Sequence, residues 1–297
     1  MQRDENWFHE VDDVAGCAFS LKVREHLHSE KSDWQQIDIY ETESFGTLMT
    51  IDGFIMLSDR DNFLYHEMMT HPVLFSHPRP RNVVIIGGGD CGTLREVLRH
   101  EEVEQATQVE LDERVTRLAE QYFPELCEAN NDPRAQFYFG DGIEWMRQAE
   151  ADSIDVIIVD STDPIGPAVG LFSAEFYADC ARALRAGGLL IQQSESPLYH
   201  MPIVLQMNAA MREGGFADVR HLHYPQPVYP SGWWSATMAG LDGAVQPVRV
   251  PEDLPPFETR YYSGPMHHAA LTLPPFMRRA VAQGRYHPED VGEQPAG

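Results

Sequence analysis

From Arg81 onward, short apolar runs alternate with amphipathic segments, and this alternation restricts the fold more than any other feature of the chain. The apolar runs lie at 82–86, 106–111, 135–139, 155–160 and 189–193. Amphipathic segments at about 93–100, 113–122, from 143 onward and at 174–184 separate them. Continuous apolar strands joined by amphipathic helices are typical of a mostly parallel sheet with helices on both faces. The sequence therefore predicts an α/β fold whose ligands bind beyond the carboxyl ends of the strands.

The chain before Arg81 follows a different pattern. Residues 17–58 alternate polar and apolar positions, and Asp52-Gly53 lies between two short apolar runs, which predicts a β-hairpin. Residues 61–75 are predicted to be helical, with Asp61 as N-cap. We therefore expect a small antiparallel β domain at 1–60, a connecting helix and linker at 61–80, the catalytic α/β domain at 81–285, and a flexible tail at 286–297.

Three positions at the predicted strand ends suit an adenosine-type ligand. Gly87-Gly88-Gly89 follows a strand and opens a helix, which lets the backbone approach a ligand closely, although a plain tight turn would use the same residues. Glu110 ends the next strand, 20 residues after Asp90, where an acid can accept both hydroxyls of a ribose. Asp141-Gly142 follows the third strand. A pyrophosphate fits less well, because Asp90 places a negative charge in the loop.

A second group of acids points to a cationic ligand. The strand at 155–160 delivers Asp160 to the same edge, and Asp163 follows in a Pro- and Gly-containing loop that is long enough to act as a lid. The alternative is that Asp163 caps a turn and Asp160 caps a helix. If Asp90, Asp160 and Asp163 converge without a nearby lysine, their repulsion is costly unless a cation is bound.

That cation could be a metal ion or an organic amine. His66 and His71 flank a sequence that resembles the HExxH zinc motif, but they are five residues apart instead of four. At about 100° per residue they would point in different directions on a helix. An organic ammonium is therefore the better candidate, and we expect no metal.

Composition narrows the class of protein. There are 46 acidic against 22 basic residues, a net charge of −24, which makes a nucleic-acid partner unexpected. A salt-adapted host and attraction of a cationic substrate would each explain this charge, and the sequence leaves both open. No apolar run approaches the roughly 20 residues of a membrane span, and the N-terminus has no signal-peptide pattern. Four scattered cysteines suit a cytoplasmic location.

Several segments together resemble the spermidine synthases, the polyamine aminopropyltransferases. The most specific are the GGGD loop at 87–90, YHEM at 65–68 and DSTDPIGP at 160–167, and the likeness extends over roughly residues 5–280. The resemblance implies a methyltransferase-like Rossmann domain behind an N-terminal β domain, and a homodimer or homotetramer. It also implies transfer of the aminopropyl group of decarboxylated S-adenosylmethionine to putrescine, giving spermidine and methylthioadenosine, without a tightly bound cofactor.

The resemblance also implies roles for individual residues. Asp160 would be the catalytic base, with Tyr65 beside it. Gln35 and Glu110 would hold the ribose and sulfur side of the nucleoside, Asp141 and Gly142 would read adenine, and Pro167 would close over it. Asp90 would bind the aminopropyl ammonium, and Tyr65 and His66 the acceptor amine. The remaining residues expected along the polyamine channel are Asp163, Gln193 and Tyr229.

The residue chemistry fits this reaction. An acceptor amine has a pKa near 10, so a carboxylate must take its proton before it can attack. The residues alone leave two alternatives, an N-methyltransferase on the same fold and a non-catalytic homologue that binds a polyamine or nucleoside. Asp90 would repel the carboxylate of intact S-adenosylmethionine, and a sensor needs no base. The preferred acceptor stays open, because one methylene changes binding by only about 1–3 kcal/mol.

Three positions depart from the family pattern. Cys91 replaces a glycine, which is compatible with the fold if this position has ordinary helical angles. Met56 replaces a glutamine, which removes one expected polar contact, and Asn62 replaces an acid. These departures affect the expected specificity more than the expected reaction.

Overall fold

A computed structural model of the chain describes residues 6–13, 15–164 and 166–286. Its N-terminal part is a five-stranded antiparallel sheet in which the strands follow one another in chain order. The strands are β1 (Trp7–Asp12), β2 (Cys17–Lys31), β3 (Gln36–Thr42), β4 (Thr47–Ile51) and β5 (Phe54–Ser58). The predicted antiparallel sheet is therefore present, with β1 as an additional edge strand that the sequence pattern did not indicate.

The Asp52-Gly53 hairpin is confirmed. Ile51 pairs with Phe54, so the loop between β4 and β5 has two residues. Asp52 and Gly53 have φ values of 50° and 88°, the left-handed conformation that a tight hairpin turn of this length requires.

Helix α1 (Asn62–Ser76) follows and is buried on all sides. Asp61 precedes it at the N-cap position, but its side chain makes no capping bond. Instead, its carboxylate accepts hydrogen bonds from the Ser58 hydroxyl and the Val228 amide. Asp61 is therefore the N-cap residue, as predicted, but its carboxylate anchors a distant loop and does not cap the first turn of the helix.

The larger part is a seven-stranded sheet in the order β11-β12-β10-β9-β6-β7-β8. Its strands are β6 (Asn82–Gly87), β7 (Gln105–Glu110), β8 (Ala135–Phe139), β9 (Ile154–Asp160), β10 (Leu184–Gln193), β11 (Asp218–Pro225) and β12 (Trp233–Gly240). The strands β8, β7, β6, β9 and β10 run parallel to one another. At one edge, β12 pairs antiparallel with β10, and β11 pairs antiparallel with β12. The mostly parallel sheet is confirmed.

Helices cover both faces of this sheet. Side chains of β6 alternate between them, with Val83 and Ile85 packing against α1 and α2, and Val84 and Ile86 in the cluster on the other face. The remaining helices are α2 (Gly92–Leu98), α3 (Glu113–Tyr122), α4 (Gly142–Gln148), α5 (Ala174–Ala183), α6 (Met201–Glu213), α7 (Gly264–Ala270) and α8 (Pro275–Gln283). Short 3₁₀ helices occur at Gly166–Phe172 and Pro230–Gly232.

None of the helices in the described ranges combines the length and apolar character that a bilayer crossing requires. The predicted tail at 286–297 lies outside the described residues except for Tyr286. The proposed division into domains at residues 60, 80 and 285 stays a prediction.

Candidate active site

A cavity of about 290 Å³ lies beyond the carboxyl ends of β6, β7 and β9, and the N-terminal sheet forms its opposite wall. A parallel sheet of this type is expected to bind ligands at this edge. Ten of the predicted site residues line it: Gln35, Tyr65, Asp90, Glu110, Asp141, Gly142, Asp160, Asp163, Pro167 and Tyr229. Because they come from segments that are far apart in the chain, the fold has gathered them.

The glycine loop allows two backbones to touch at the cavity. Gly87 has a φ of 84°, and a Cβ atom there would lie 2.2 Å from the carbonyl oxygen of Asp160. The amide of Gly88 donates to that same oxygen at 2.8 Å. The loop is therefore held against the end of β9, which fixes Asp160 relative to Asp90.

Cys91 occupies a left-handed backbone conformation, with φ 69° and ψ 1°, immediately before α2. The expectation of ordinary helical angles at this position is therefore wrong. The chain keeps the backbone turn that a glycine would favour and places a fully buried thiol on it.

Glu110 and Gln35 are linked through a residue that sequence reasoning did not single out. The amide of Asp112 donates to Glu110 Oε1 at 2.8 Å, and the side-chain amide of Gln35 donates to Asp112 Oδ2 at 3.1 Å. Burial raises the pKa of Glu110 to about 7. This end of the cavity thus has two carboxylates that connect the seven-stranded sheet to the N-terminal part. The only sequence signal for Asp112 was its place in the VELDERV segment.

Asp141 caps α4, since its carboxylate accepts from the amides of Ile143 and Glu144. Gly142, the next residue, lies in the cavity wall. Pro167 and Leu171 contribute apolar surface from the 3₁₀ helix at Gly166–Phe172, which packs against the start of α4 at Ile143. This end of the cavity is therefore flanked by a helix start and an apolar turn.

Asp160 receives two hydroxyl groups. The Tyr65 hydroxyl donates to Oδ1 at 2.7 Å and the Thr93 hydroxyl donates to Oδ2 at 2.6 Å. Burial and the nearby Asp90 carboxylate raise the pKa of Asp160, and these two hydrogen bonds act in the opposite direction. Burial and Asp160 raise the pKa of Tyr65, so its phenol stays a proton donor.

Asp90 has a cationic partner that the sequence argument overlooked. His66 Nε2 lies 3.2 Å from the carboxylate, and the Gly92 amide donates to it at 2.7 Å. Burial opposes ionisation of both groups, but His66 lowers the pKa of Asp90 and Asp90 raises that of His66. A protonated His66 therefore offsets one of the three carboxylates that were expected to repel each other.

His66 itself lies behind Asp90 and does not line the cavity. A Cβ atom on Gly92 would overlap its ring, so α1 and α2 touch at this point. His71 points elsewhere, toward His100 at 3.0 Å and Glu96 at 3.3 Å. The two histidines thus face different partners, as their spacing predicted.

Four acids form a second group, here called the acidic group: Glu10, Asp12, Asp163 and Glu195. Asp163 and Glu195 are hydrogen-bonded neighbours, and His200 lies 3.1 Å from both Glu195 and Asp12. Burial raises the pKa of Glu10 and that of Glu195 to about 7, and burial together with Glu195 raises that of Asp163. Sequence reasoning missed Glu10 and Glu195, because only the tertiary fold brings β1 and the end of β10 together.

Tyr229 lines the cavity and Gln193 does not. The Tyr229 hydroxyl donates to the backbone carbonyl of Met56 at 2.7 Å, so it ties the C-terminal part to β5. The Gln193 side chain accepts from the Glu195 amide and donates to the carbonyl of Thr162. Contacts of Gln193 and His66 with a substrate stay predictions.

The wall from the N-terminal sheet is largely apolar. Met49, Ile51, Phe54, Met56 and Leu57 line it from β4 and β5, together with the acid Asp52 in the turn between these strands. The carboxyl residues Asp90, Asp160 and Asp163 line the same cavity from the strand ends and loops of the seven-stranded sheet. A ligand with an apolar chain and cationic nitrogens would match both surfaces.

Two family models match the chain. A spermine/spermidine synthase domain matches residues 62–246, and a spermidine synthase tetramerisation domain matches residues 6–59. Among curated proteins, the polyamine aminopropyltransferase of Nitrosococcus oceani is 60% identical over 280 residues, which cover 94% of this chain and 98% of that protein. That of Methylococcus capsulatus is 58% identical, with coverage of 94% and 98%.

Solved structures agree with these matches. A spermidine synthase in complex with the transition-state analogue AdoDATO superposes with a TM-score of 0.88 at 34% identity, covering 95% of this chain and 96% of that one. The spermidine synthase of Thermotoga maritima gives a TM-score of 0.87 at the same identity and coverage.

Proposed function

The chain belongs to the spermidine synthase family of polyamine aminopropyltransferases, and from this premise we propose that it transfers the aminopropyl group of decarboxylated S-adenosylmethionine to putrescine. The products are spermidine and methylthioadenosine. The observation that carries the proposal is that Asp90, Asp160 and Asp163 line one cavity together with the largely apolar wall from β4 and β5. A diamine joined by methylenes, and a donor with a single ammonium, would place cations on the acids and methylenes on the apolar wall.

The donor would occupy the end of the cavity near β7 and β8. Glu110 would accept the ribose hydroxyls, with Gln35 held beside it through Asp112. Asp141 and Gly142 would lie at the adenine, under Pro167. Asp90, paired with His66, would hold the aminopropyl ammonium, whereas the added carboxylate of intact S-adenosylmethionine would meet a carboxylate there.

Asp160 would act as general base. The acceptor reaches the site as an ammonium and becomes nucleophilic only when it loses a proton. A buried carboxylate with a raised pKa is a better proton acceptor than an exposed one. The amine nitrogen would then attack the methylene next to the sulfonium, and the C–S electrons would leave with methylthioadenosine, so no metal or cofactor step is needed.

The acidic group would receive the second nitrogen of the acceptor. Asp163 lines the cavity and contacts Glu195 directly. A monoamine would leave these buried acids unmatched, and this favours a diamine. The family model for residues 6–59 supports an oligomer of this chain, with the dimer or tetramer as the expected state.

Methylthioadenosine release tests the reaction. With decarboxylated S-adenosylmethionine we expect release that depends on a diamine and is greatest with putrescine, and none with intact S-adenosylmethionine. Methylated product from the intact donor would favour the N-methyltransferase, and donor binding without release with any amine would favour the non-catalytic alternative.

Asp160→Asn tests the base. We expect turnover to fall by about 10²-fold or more because the amide cannot take the proton, while methylthioadenosine binds normally. Asp155→Asn is the control, since Asp155 is at the opposite end of β9, bonded to the Arg81 and Asn82 amides and outside the cavity. Near-normal turnover of Asp160→Asn would remove it from this role.

A further inference from the structure

Thr93 contacts the reacting carboxylate from outside the cavity. It lies in the first turn of α2, is fully buried, and is not part of the cavity lining. A helical threonine hydroxyl commonly bonds back to the carbonyl four residues earlier. Here the hydroxyl instead donates across to Asp160 Oδ2 at 2.6 Å, a distance typical of a hydrogen bond to a charged acceptor.

The two hydroxyl donors bond to different oxygens of the Asp160 carboxylate. Tyr65 takes Oδ1 and Thr93 takes Oδ2. Each oxygen can accept a second bond, so proton-accepting capacity remains while rotation of the carboxylate about its terminal torsion is blocked. Thr93 does this from a rigid position, because its helix begins at the glycine loop that bonds to the backbone of Asp160.

We propose that Thr93 is a positioning residue for the transfer reaction, which orients Asp160 and keeps it ionised. The inference rests on the proposed function, in which Asp160 accepts the proton. Thr93 does not line the cavity, so we expect its effect to pass through Asp160.

Few of the groups around Asp160 favour its ionised form, so the second hydroxyl donor matters for its charge state. Several titratable groups face Asp160, from α1, the glycine loop, β7, β11 and the loop before β12: Tyr65, His66, Asp90, Glu110, Tyr224 and Tyr229. Of these, His66 and Tyr65 favour the ionised carboxylate, and His66 is already paired with Asp90. Removal of the Thr93 hydroxyl therefore takes away one of the few contacts that lower the pKa of Asp160.

Thr93→Val, which keeps the shape and removes the hydroxyl, tests the inference against Thr93→Ser, which keeps the hydroxyl. We expect the acid limb of the pH profile of kcat/KM for putrescine to move upward by about one pH unit in Thr93→Val, with about a tenfold loss of activity below the limb. Thr93→Ser should have nearly the wild-type acid limb and nearly the wild-type activity. The affinity for methylthioadenosine should stay within about twofold of the wild type in both variants.

Thr116→Val is the matched control. Thr116 is also a buried helical threonine, and its hydroxyl has no hydrogen-bond partner among the described residues. Its substitution should leave the acid limb in place. If Thr93→Val does not fold, Thr93→Ala provides the same comparison.

Two outcomes separate this inference from the one it rests on. Near-normal turnover of Asp160→Asn would overturn the base assignment and the Thr93 inference with it. A nearly inactive Asp160→Asn together with an unmoved acid limb in Thr93→Val would overturn the Thr93 inference alone. In the Asp160→Asn background, Thr93→Val should cause no further loss.

Discussion

Cys91 carries a side chain at a backbone conformation that favours glycine. Its φ of 69° is in the left-handed region, where a Cβ atom costs roughly 1–2 kcal/mol. The thiol is fully buried and contacts Cys127, whose φ is not positive. The pair therefore offers two buried cysteines that differ in backbone conformation.

We expect Cys91→Val to unfold more easily than Cys91→Ala, by about 1–2 kcal/mol in the free energy of unfolding, because a β-branched side chain tolerates positive φ poorly. Urea denaturation measures the difference. At Cys127 the same pair of substitutions is the control, and there valine should be no worse than alanine. Equal stabilities at both positions would show that the backbone at 91 is not strained.

The positions of single residues were predictable where a sequence motif indicated them, but not where they depended on the backbone conformation. Glu110 and Asp160 follow from their places at strand ends. The left-handed turn at Cys91 was not predictable, because the expected glycine had been replaced by a residue that rarely adopts it. Thr93 carried no signal, since a threonine in a helix gives no indication of a partner 67 residues away.

At the scale of elements, apolar pattern and turn chemistry predicted most of the sheet and missed its antiparallel edge. α3 and β8 have the predicted bounds, 113–122 and 135–139. β12 was missed because its buried positions are mostly the small residues Ser, Ala, Thr and Gly, which do not form the apolar run by which the other buried strands were predicted. β1 is short, and its one buried residue is the acid Glu10, so its sequence did not show the apolar alternation of a half-buried strand.

The 3₁₀ helix at Gly166–Phe172 is the element expected to respond to the donor. Pro167, Ala168 and Leu171 contact the cavity, and the 3₁₀ helix begins only six residues after Asp160. We predict that methylthioadenosine slows amide hydrogen exchange in Gly166–Phe172, because a filled cavity supports the turn. Exchange in β11, at the far edge of the sheet, is the internal control. Unchanged protection of the turn would contradict a lid.

At the level of the whole molecule, buried acids lower the stability of the ligand-free protein at neutral pH. Glu10, Glu110 and Glu195 have pKa values raised to about 7, chiefly by burial. An acid whose pKa is raised in the folded state contributes stability that is complete below its ordinary value of 4.5, and this contribution is lost as the pH rises to about 7. The ligand-free enzyme therefore loses stability from these groups between pH 4.5 and 7.

Glu195→Gln should remove its share of this loss. We predict the same melting temperature as the wild type near pH 4.5 and a higher one at pH 8, because the neutral amide avoids a buried charge. The exposed Glu101→Gln is the control and should show no pH-dependent gain. Putrescine at pH 8 should stabilise the wild type more than Glu195→Gln. A pH-independent difference would contradict the assignment.

The overall architecture was predictable because each half has its own repetitive pattern, alternation of period two before residue 60 and strand–helix alternation after 80. The acidic group was not, because Glu10 and Glu195 are 185 positions apart and meet only after both sheets have formed. The charge of −24 likewise describes the entire surface and gave no information about that site.

The cavity takes one wall from β4 and β5 and the other from the loops after β6, β7 and β9. The lining residues therefore fall on both sides of position 60, and either set can acquire substitutions while the other keeps its sequence. Recombination that exchanged the first 60 codons between relatives would deliver a new half of the pocket in a single event. Asp160 would be inherited unchanged, so if it is the base, as proposed, such exchange would alter the pocket and keep the reaction.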